Sequence, residues 1–202
     1  MMKTIAEKKL EEARATSESA GGTGRFVSLF DGKTLKGWHL RNSDGPSCWS
    51  VGRGELIGVG QGRNDLISDQ VFQDFELHLE FLLAPKGDTG VYLRGRYQLQ
   101  LMDAVRGRPD ENTGAIFGLI APARQMYLGP GKWNSLDVRL IGRNVTVVMN
   151  GERIIDDKYM AHATVGSLDN FEDQPGPVLL QSWEGEFRFR NIRIHPLKAK
   201  SG

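Results

Sequence analysis

Three observations predict an all-β fold, a sandwich of two antiparallel sheets. Short runs of alternating apolar and polar residues recur from Phe26 onward, separated by Gly, Asn, Asp and Pro at the spacing such a sandwich requires. The run from Phe75 to Leu83 (FELHLEFLL) alternates throughout, and strand side chains point to opposite faces with period two. Phe75, Leu77, Leu79 and Phe81 therefore face a core, and Glu76, His78 and Glu80 face outward. Thirdly, Asn150-Gly151 lies between two alternating runs and supplies the two positive φ angles of a type I′ hairpin turn.

Along the chain, residues 3–20 (KTIAEKKLEEARATSESA) are rich in helix formers but carry a thin apolar stripe, and an isolated helix of that size is marginal in water. With the flexible joint SAGGTG at 19–24, they predict a helical or disordered N-terminal arm over 1–25. The sandwich then occupies 26–197, and 198–202 form a C-terminal tail. Strands are expected near 26–30, 48–51, 55–58, 65–68, 74–83, 90–95, 97–102, 115–118, 133–141, 144–149, 152–156, 177–182 and 186–195. Gly142-Arg143 and Asn150-Gly151 make a three-strand meander of 133–156. The glycines of Gly58-Val59-Gly60-Gln61-Gly62 precede a strand-like segment rather than a helix, so they read as a strand connection and not a phosphate loop.

The chain has 202 residues, enough for one domain with a two-layer core. Its net charge of +1 comes from interleaved acids and bases, which argues against nucleic acid or a lipid surface as partner. Cys48 is the single cysteine, so an internal disulfide and multi-cysteine metal sites are excluded. No run approaches a membrane span and no apolar signal segment opens the sequence. That predicts a cytoplasmic protein, or a periplasmic or secreted one whose signal is missing from this sequence. Oligomeric state is not legible.

Chemistry concentrates after residue 75. Tyr92, Arg94 and Arg96 alternate with Val91 and Leu93, and Gln98 and Gln100 alternate with Leu99 and Leu101. If these strands neighbour the Glu76–His78–Glu80 strand, one face combines carboxylates, guanidiniums, amides and aromatics, the makeup of a sugar groove. Glu76 and Glu80 lie about 13 Å apart along a strand, too far for a paired-carboxylate glycosidase, and His78 interrupts the usual strand-borne acid pattern. Arg94, Arg96, Gln98 and Gln100 suit sugar hydroxyls or an oxyanion. Asp103 opens a long loop with Asp110, Glu111 and Asn112. His78 is the natural base near neutrality, or a divalent-metal ligand beside Glu76 or Glu80; no organic cofactor is indicated. Trp38, Trp49 and Trp133 read as core, while Trp183 suits either the core or a groove rim, where it would stack on a sugar.

Several segments together resemble the bacterial 3-keto-disaccharide hydrolase family, whose fold is similar to concanavalin A-like lectins and glucanases. They are FVSLFDGKTLKGW at 26–38, DFELHLEF at 74–81, TGVYLRG at 89–95, YQLQLMD at 97–103, TGAIFG at 113–118, GKWNSLDVRLIGRNVTVVMNGERI at 131–154 and GPVLLQSWEGEFRFRNIRIHPL at 176–197. The resemblance implies a jelly-roll sandwich that cleaves glycosides oxidised to a ketone at carbon 3, as a hydrolase or a lyase. Glu80, Arg94, Gln100, Asp103 and Gln181 match motif positions. Expected roles are Glu80 or His78 as base or metal ligand, Arg94 at the enolate oxygen, Gln100 and Gln181 on hydroxyls, and Asp103 as acid or orienter of Arg94. Where the family often has histidine and glycine after the Leu-Gln of the penultimate strand, this chain has Ser182-Trp183-Glu184-Gly185, which makes Glu184 a candidate replacement. Thr89 stands where serine is common, keeping the hydroxyl. A non-catalytic carbohydrate-binding module of the same fold is the alternative, and a structural or interaction domain is a third.

Overall fold

A computed structural model describes residues 25–60 and 64–198. The expected arm over 1–25 lies, but for Arg25, outside the described residues. Those residues form β1 (Val27–Ser28), β2 (Trp38–Leu40), β3 (Trp49–Gly52), β4 (Glu55–Val59), β5 (Leu66–Phe72), β6 (Phe75–Leu83), β7 (Asp88–Leu93), β8 (Tyr97–Met102), β9 (Asn134–Ile141), β10 (Asn144–Met149), β11 (Glu152–Tyr159), β12 (Gly176–Leu180) and β13 (Glu186–Pro196), with one 3-10 turn at Pro109–Glu111.

Turn chemistry explains the hairpins. Arg53-Gly54 and Asn150-Gly151 both hold positive φ angles (55° and 79°; 52° and 83°), the requirement of a two-residue turn that matches strand twist. Between β7 and β8 the three-residue loop Arg94-Gly95-Arg96 opens on two positive φ angles, 52° and 67°. The β9–β10–β11 meander forms as expected.

The strands divide into two antiparallel sheets. The large sheet runs β11-β10-β9-β6-β13-β4-β3 with β1 added on β13, and the small sheet runs β2-β5-β12-β7-β8. Their inner faces meet in one core: Leu77, Leu79, Phe81 and Leu83 of β6 pack in the same cluster as Val91 and Leu93 of β7, Leu99 and Leu101 of β8, and Phe187 and Phe189 of β13. The strict alternation of β6 follows from that one-sided burial.

Two elements differ from the sequence reading. Residues 115–118 make bridges at Ile116 alone, although their backbone covers the free edge of β8 through Gln100 N–H to Ala115 and Phe117 N–H to Gln98. Conversely β2, too short to show a period, pairs with β5 at Trp38↔Ser68. Trp38 and Trp49 are core as expected, whereas Trp133 is half-buried, with the Arg190 guanidinium 4.0 Å from its ring centre.

Candidate functional site

The outward residues of β7 and β8 build a cleft of about 200 Å³ on the outer face of the small sheet. Asp88, Tyr92, Gln98 and Gln100 floor it. Gln181 joins from the end of β12, and Arg106, Phe117, Val165, Gly166 and Trp183 make the walls. Gly90 sits opposite Gln100 in the ladder, and a Cβ there would lie 2.8 Å from Gln98 Nε2. Glycine at that position leaves the space the Gln98 amide occupies. The Gln181 backbone is pinned to β7 twice, by its N–H to Gly90 and by the Thr89 hydroxyl donating to its carbonyl at 2.5 Å.

A directed hydrogen-bond chain runs across the floor. Asp88 can only accept when ionised, so Gln100 turns its Nε2 to Asp88 Oδ1, at 2.8 Å, and its Oε1 to Gln98 Nε2, at 2.6 Å. Gln98 Nε2 also donates to Gln181 Oε1 at 2.9 Å, and its Oε1 accepts from Tyr92 at 3.0 Å. One carboxylate thus sets the orientation of two amides. Burial pushes the Tyr92 phenol up, so it remains a donor at neutral pH.

Asp88 is the unusual group. Burial raises its pKa above the ordinary carboxylate value, and the Glu184 charge adds to that; the hydrogen bond from Gln100 and the Arg106 guanidinium, 3.1 Å from Oδ2, oppose it without cancelling it. A buried carboxyl with a raised pKa, in a cleft lined by amides and aromatics, has the features of an acid–base group.

The sequence-predicted residues fall into three sets. Gln100, Gln181, Tyr92 and Trp183 line the cleft, with Trp183 at its rim, 41% exposed. Glu184 borders it: its backbone exchanges hydrogen bonds with Asp88 while its side chain is exposed.

Glu76, His78 and Glu80 lie elsewhere. Because β6 belongs to the large sheet, its outward side chains leave the sandwich on the side opposite the cleft. His78 Nδ1 bonds Asp137 at 2.7 Å, Glu76 contacts Arg139 and His195, and Glu80 accepts from Arg190 and Asn191, each at 2.6 Å. Against the raising effect of partial burial, the Asn191 and Arg190 bonds hold Glu80 below the usual carboxylate value, the reverse of a base tuned toward neutrality. The expected shared face is therefore corrected: alternation sorts side chains in from out but does not say which sheet a strand joins. As metal candidates the three do not converge, and no group of three or more His, Cys, Asp or Glu able to hold a metal occurs among the described residues.

Arg94 and Asp103 are also displaced. The positive φ of Arg94 turns it off the cleft floor, and its buried guanidinium donates to the Gly142 carbonyl under the β9–β10 hairpin, beside the Tyr97 ring. Asp103 is committed to the Lys86 N–H at 3.0 Å and the Tyr127 hydroxyl at 3.4 Å. Arg96, read as a groove donor, pairs with Asp169 at 2.5 Å.

Two residues of the cleft, Asp88 and Arg106, are not legible in the sequence as site residues. Asp88 fell in the Gly87-Asp88-Thr89-Gly90 connection. Extending β7 backward by two residues would have given it the parity of Gly90 and Tyr92. Arg106 had no signal, since a loop arginine carries no period.

The two antiparallel sheets define a jelly-roll sandwich of the concanavalin A-like kind. The chain belongs to the 3-keto-alpha-glucoside-1,2-lyase-like domain family, whose pattern it matches over residues 25–195. It is 33% identical to a 3-keto-disaccharide hydrolase of Bacteroides thetaiotaomicron, across 85% of this chain and 78% of that protein. A solved structure from Parabacteroides distasonis, provisionally named a glycosyl hydrolase, superposes with TM-score 0.71 at 26% identity over 85% of this chain and 84% of its own. The carbohydrate-binding module CBM66 of Bacillus subtilis shares the fold, with TM-score 0.57 at 15% identity over 83% of this chain and 98% of its own.

Proposed function

We propose that the chain cleaves glycosides whose sugar is a ketone at carbon 3, with Asp88 as the base that removes the hydrogen on carbon 2. The observation that carries this is a buried carboxylate of raised pKa held by Gln100 and Arg106 in an otherwise amide-lined cleft. The ketone acidifies the neighbouring C–H, so one base suffices. The C–H electron pair forms the carbon 2–carbon 3 double bond and an enolate oxygen. When the ketone reforms, that pair moves to carbon 1–carbon 2 and the carbon 1–oxygen bond breaks, the leaving oxygen taking a proton. Water added to the resulting enone gives the free keto sugar, so a lyase and a hydrolase share the first step. Gln98, Gln100 and Gln181 would orient the ring, and Trp183 would stack on it at the rim.

The test is turnover of a 3-keto-glucoside with a chromogenic aglycone in D₂O. The wild type releases the aglycone and loses the original hydrogen of carbon 2, which ends as the unsaturated carbon of the enone if elimination stops there and bears deuterium if water adds, and Asp88→Asn lowers the rate about 10²–10⁴-fold. Release with hydrogen retained on carbon 2 would mean displacement at carbon 1. Binding of the keto sugar without any release would instead support the carbohydrate-binding module.

A further inference from the structure

Among the described residues lining the cleft Arg106 is the one cation, and it comes from outside both sheets. Its segment closes on itself: the Arg106 N–H donates to Asn112 Oδ1, and Asn112 Nδ2 donates back to the carbonyls of Arg106 and Arg108. The guanidinium is tied to the small sheet through Asp88, at 3.1 Å, and its side chain is 39% exposed while that of Asp88 is 10% exposed. The side chain can therefore swing without breaking a ladder bond. The amides have less freedom, because Gln100 Nε2 is committed to Asp88 and Gln98 Nε2 to Gln100 and Gln181.

We propose that Arg106 acts twice in this cleft: at rest it is the countercharge of Asp88, and during turnover its guanidinium passes to the carbon-3 oxygen and stabilises the enolate. The inference rests on the reading of Asp88 as base. Proton removal neutralises Asp88 and places a negative charge on an oxygen two bonds from the carbon that lost its hydrogen. A cation already beside the carboxylate follows that charge across a short distance, in a site where burial strengthens the interaction. No atom or electron beyond those of the elimination is required.

The test compares Arg106→Ala, Arg106→Lys and Asp88→Asn on the same 3-keto-glucoside, with kcat and kcat/KM measured against pH and Tm as a folding control. Among the described residues the charged and titratable groups facing Asp88 are Arg106 from the loop after β8 and Glu184 from the segment before β13, with Tyr92 on its own strand and Asp65 and Arg41 beyond Tyr92. Removing the one adjacent cation leaves Glu184 unopposed, so the acid limb of kcat/KM for Arg106→Ala moves up by as much as about one pH unit. Its kcat falls about 10²–10³-fold, as for loss of one oxyanion donor, at a Tm unchanged when measured at acid pH, where Asp88 is neutral, and Arg106→Lys recovers part of both effects. A rise in KM alone, or a fall in kcat with the acid limb unmoved, overturns the double role. If Asp88→Asn is inactive while Arg106→Ala keeps kcat within about threefold, Arg106 fails and Asp88 stands. If Asp88→Asn keeps its kcat, the reading of Asp88 fails itself.

Discussion

At the scale of single residues, a carboxylate in the cleft floor is kept there against its own solvation. The folded pKa of Asp88 is raised above the unfolded value, so the folded state holds its proton over a pH window in which the unfolded state has lost it. Stability contributed at this position is therefore greatest below the unfolded value and declines as pH rises through the folded one. Asp88→Asn removes that penalty. The expected outcome is a variant whose Tm relative to wild type improves between pH 3 and pH 7 while its turnover is lost, measured by thermal unfolding at both pH values. A variant that merely misfolds has a lower Tm at both pH values. Catalysis is expected to run the other way: with Asp88 as the base, activity rises with pH as it ionises, read from the acid limb of kcat/KM.

Elements decide which side chains meet. Gly90 on β7 lies against Gln98 on β8, and a methyl group there presses on Nε2 and Cγ at 2.8 and 2.9 Å. Gly90→Ala is expected to displace the Gln98 amide, break its bonds to Gln100 and Gln181, and reduce kcat/KM at least tenfold, about 1.4 kcal/mol of lost transition-state stabilisation, in steady-state kinetics. On β6 the reverse holds. Glu80 answers Arg190 and Asn191, where β13 bulges between Arg190 and Arg193 and Asn191 turns to a φ of 53°. With both partners partly exposed, Glu80→Gln should lower stability by no more than about 1 kcal/mol in chemical denaturation and leave turnover unchanged. Full loss of activity in that variant would return the site to the large sheet.

For the molecule as a whole, the site depends on where the chain leaves one sheet for the other. Between β6 and β7 the backbone crosses through Ala84–Gly87, and Gly87 packs on Gly185, where a Cβ would lie 3.0 Å from the Gly87 Cα at a φ of 68°. Asp88 and Glu184 bridge immediately beyond this contact. Gly185→Ala combines left-handed strain with a backbone clash, so a stability loss of at least about 1 kcal/mol is expected, with reduced turnover as Asp88 shifts, read by denaturation and kinetics together.

Read alone, the sequence determined the alternation of β6, β7 and β8, the Asn150-Gly151 turn, the all-β class and the family, because each depends on neighbours a few residues apart or on motifs in order. It also placed Gln100 and Tyr92 in one group, since residues of like parity on a hairpin share a face, and Gln181 entered through its match to the family motif. The tertiary structure alone decided that Glu76, His78 and Glu80 lie across the sandwich from them, that Arg94 turns away beneath Gly142, and that Asp88 and Arg106 meet. Periodicity specifies the side of a strand. Which sheet the strand enters, and which loop closes over it, is settled by burial of surfaces brought together from distant parts of the chain.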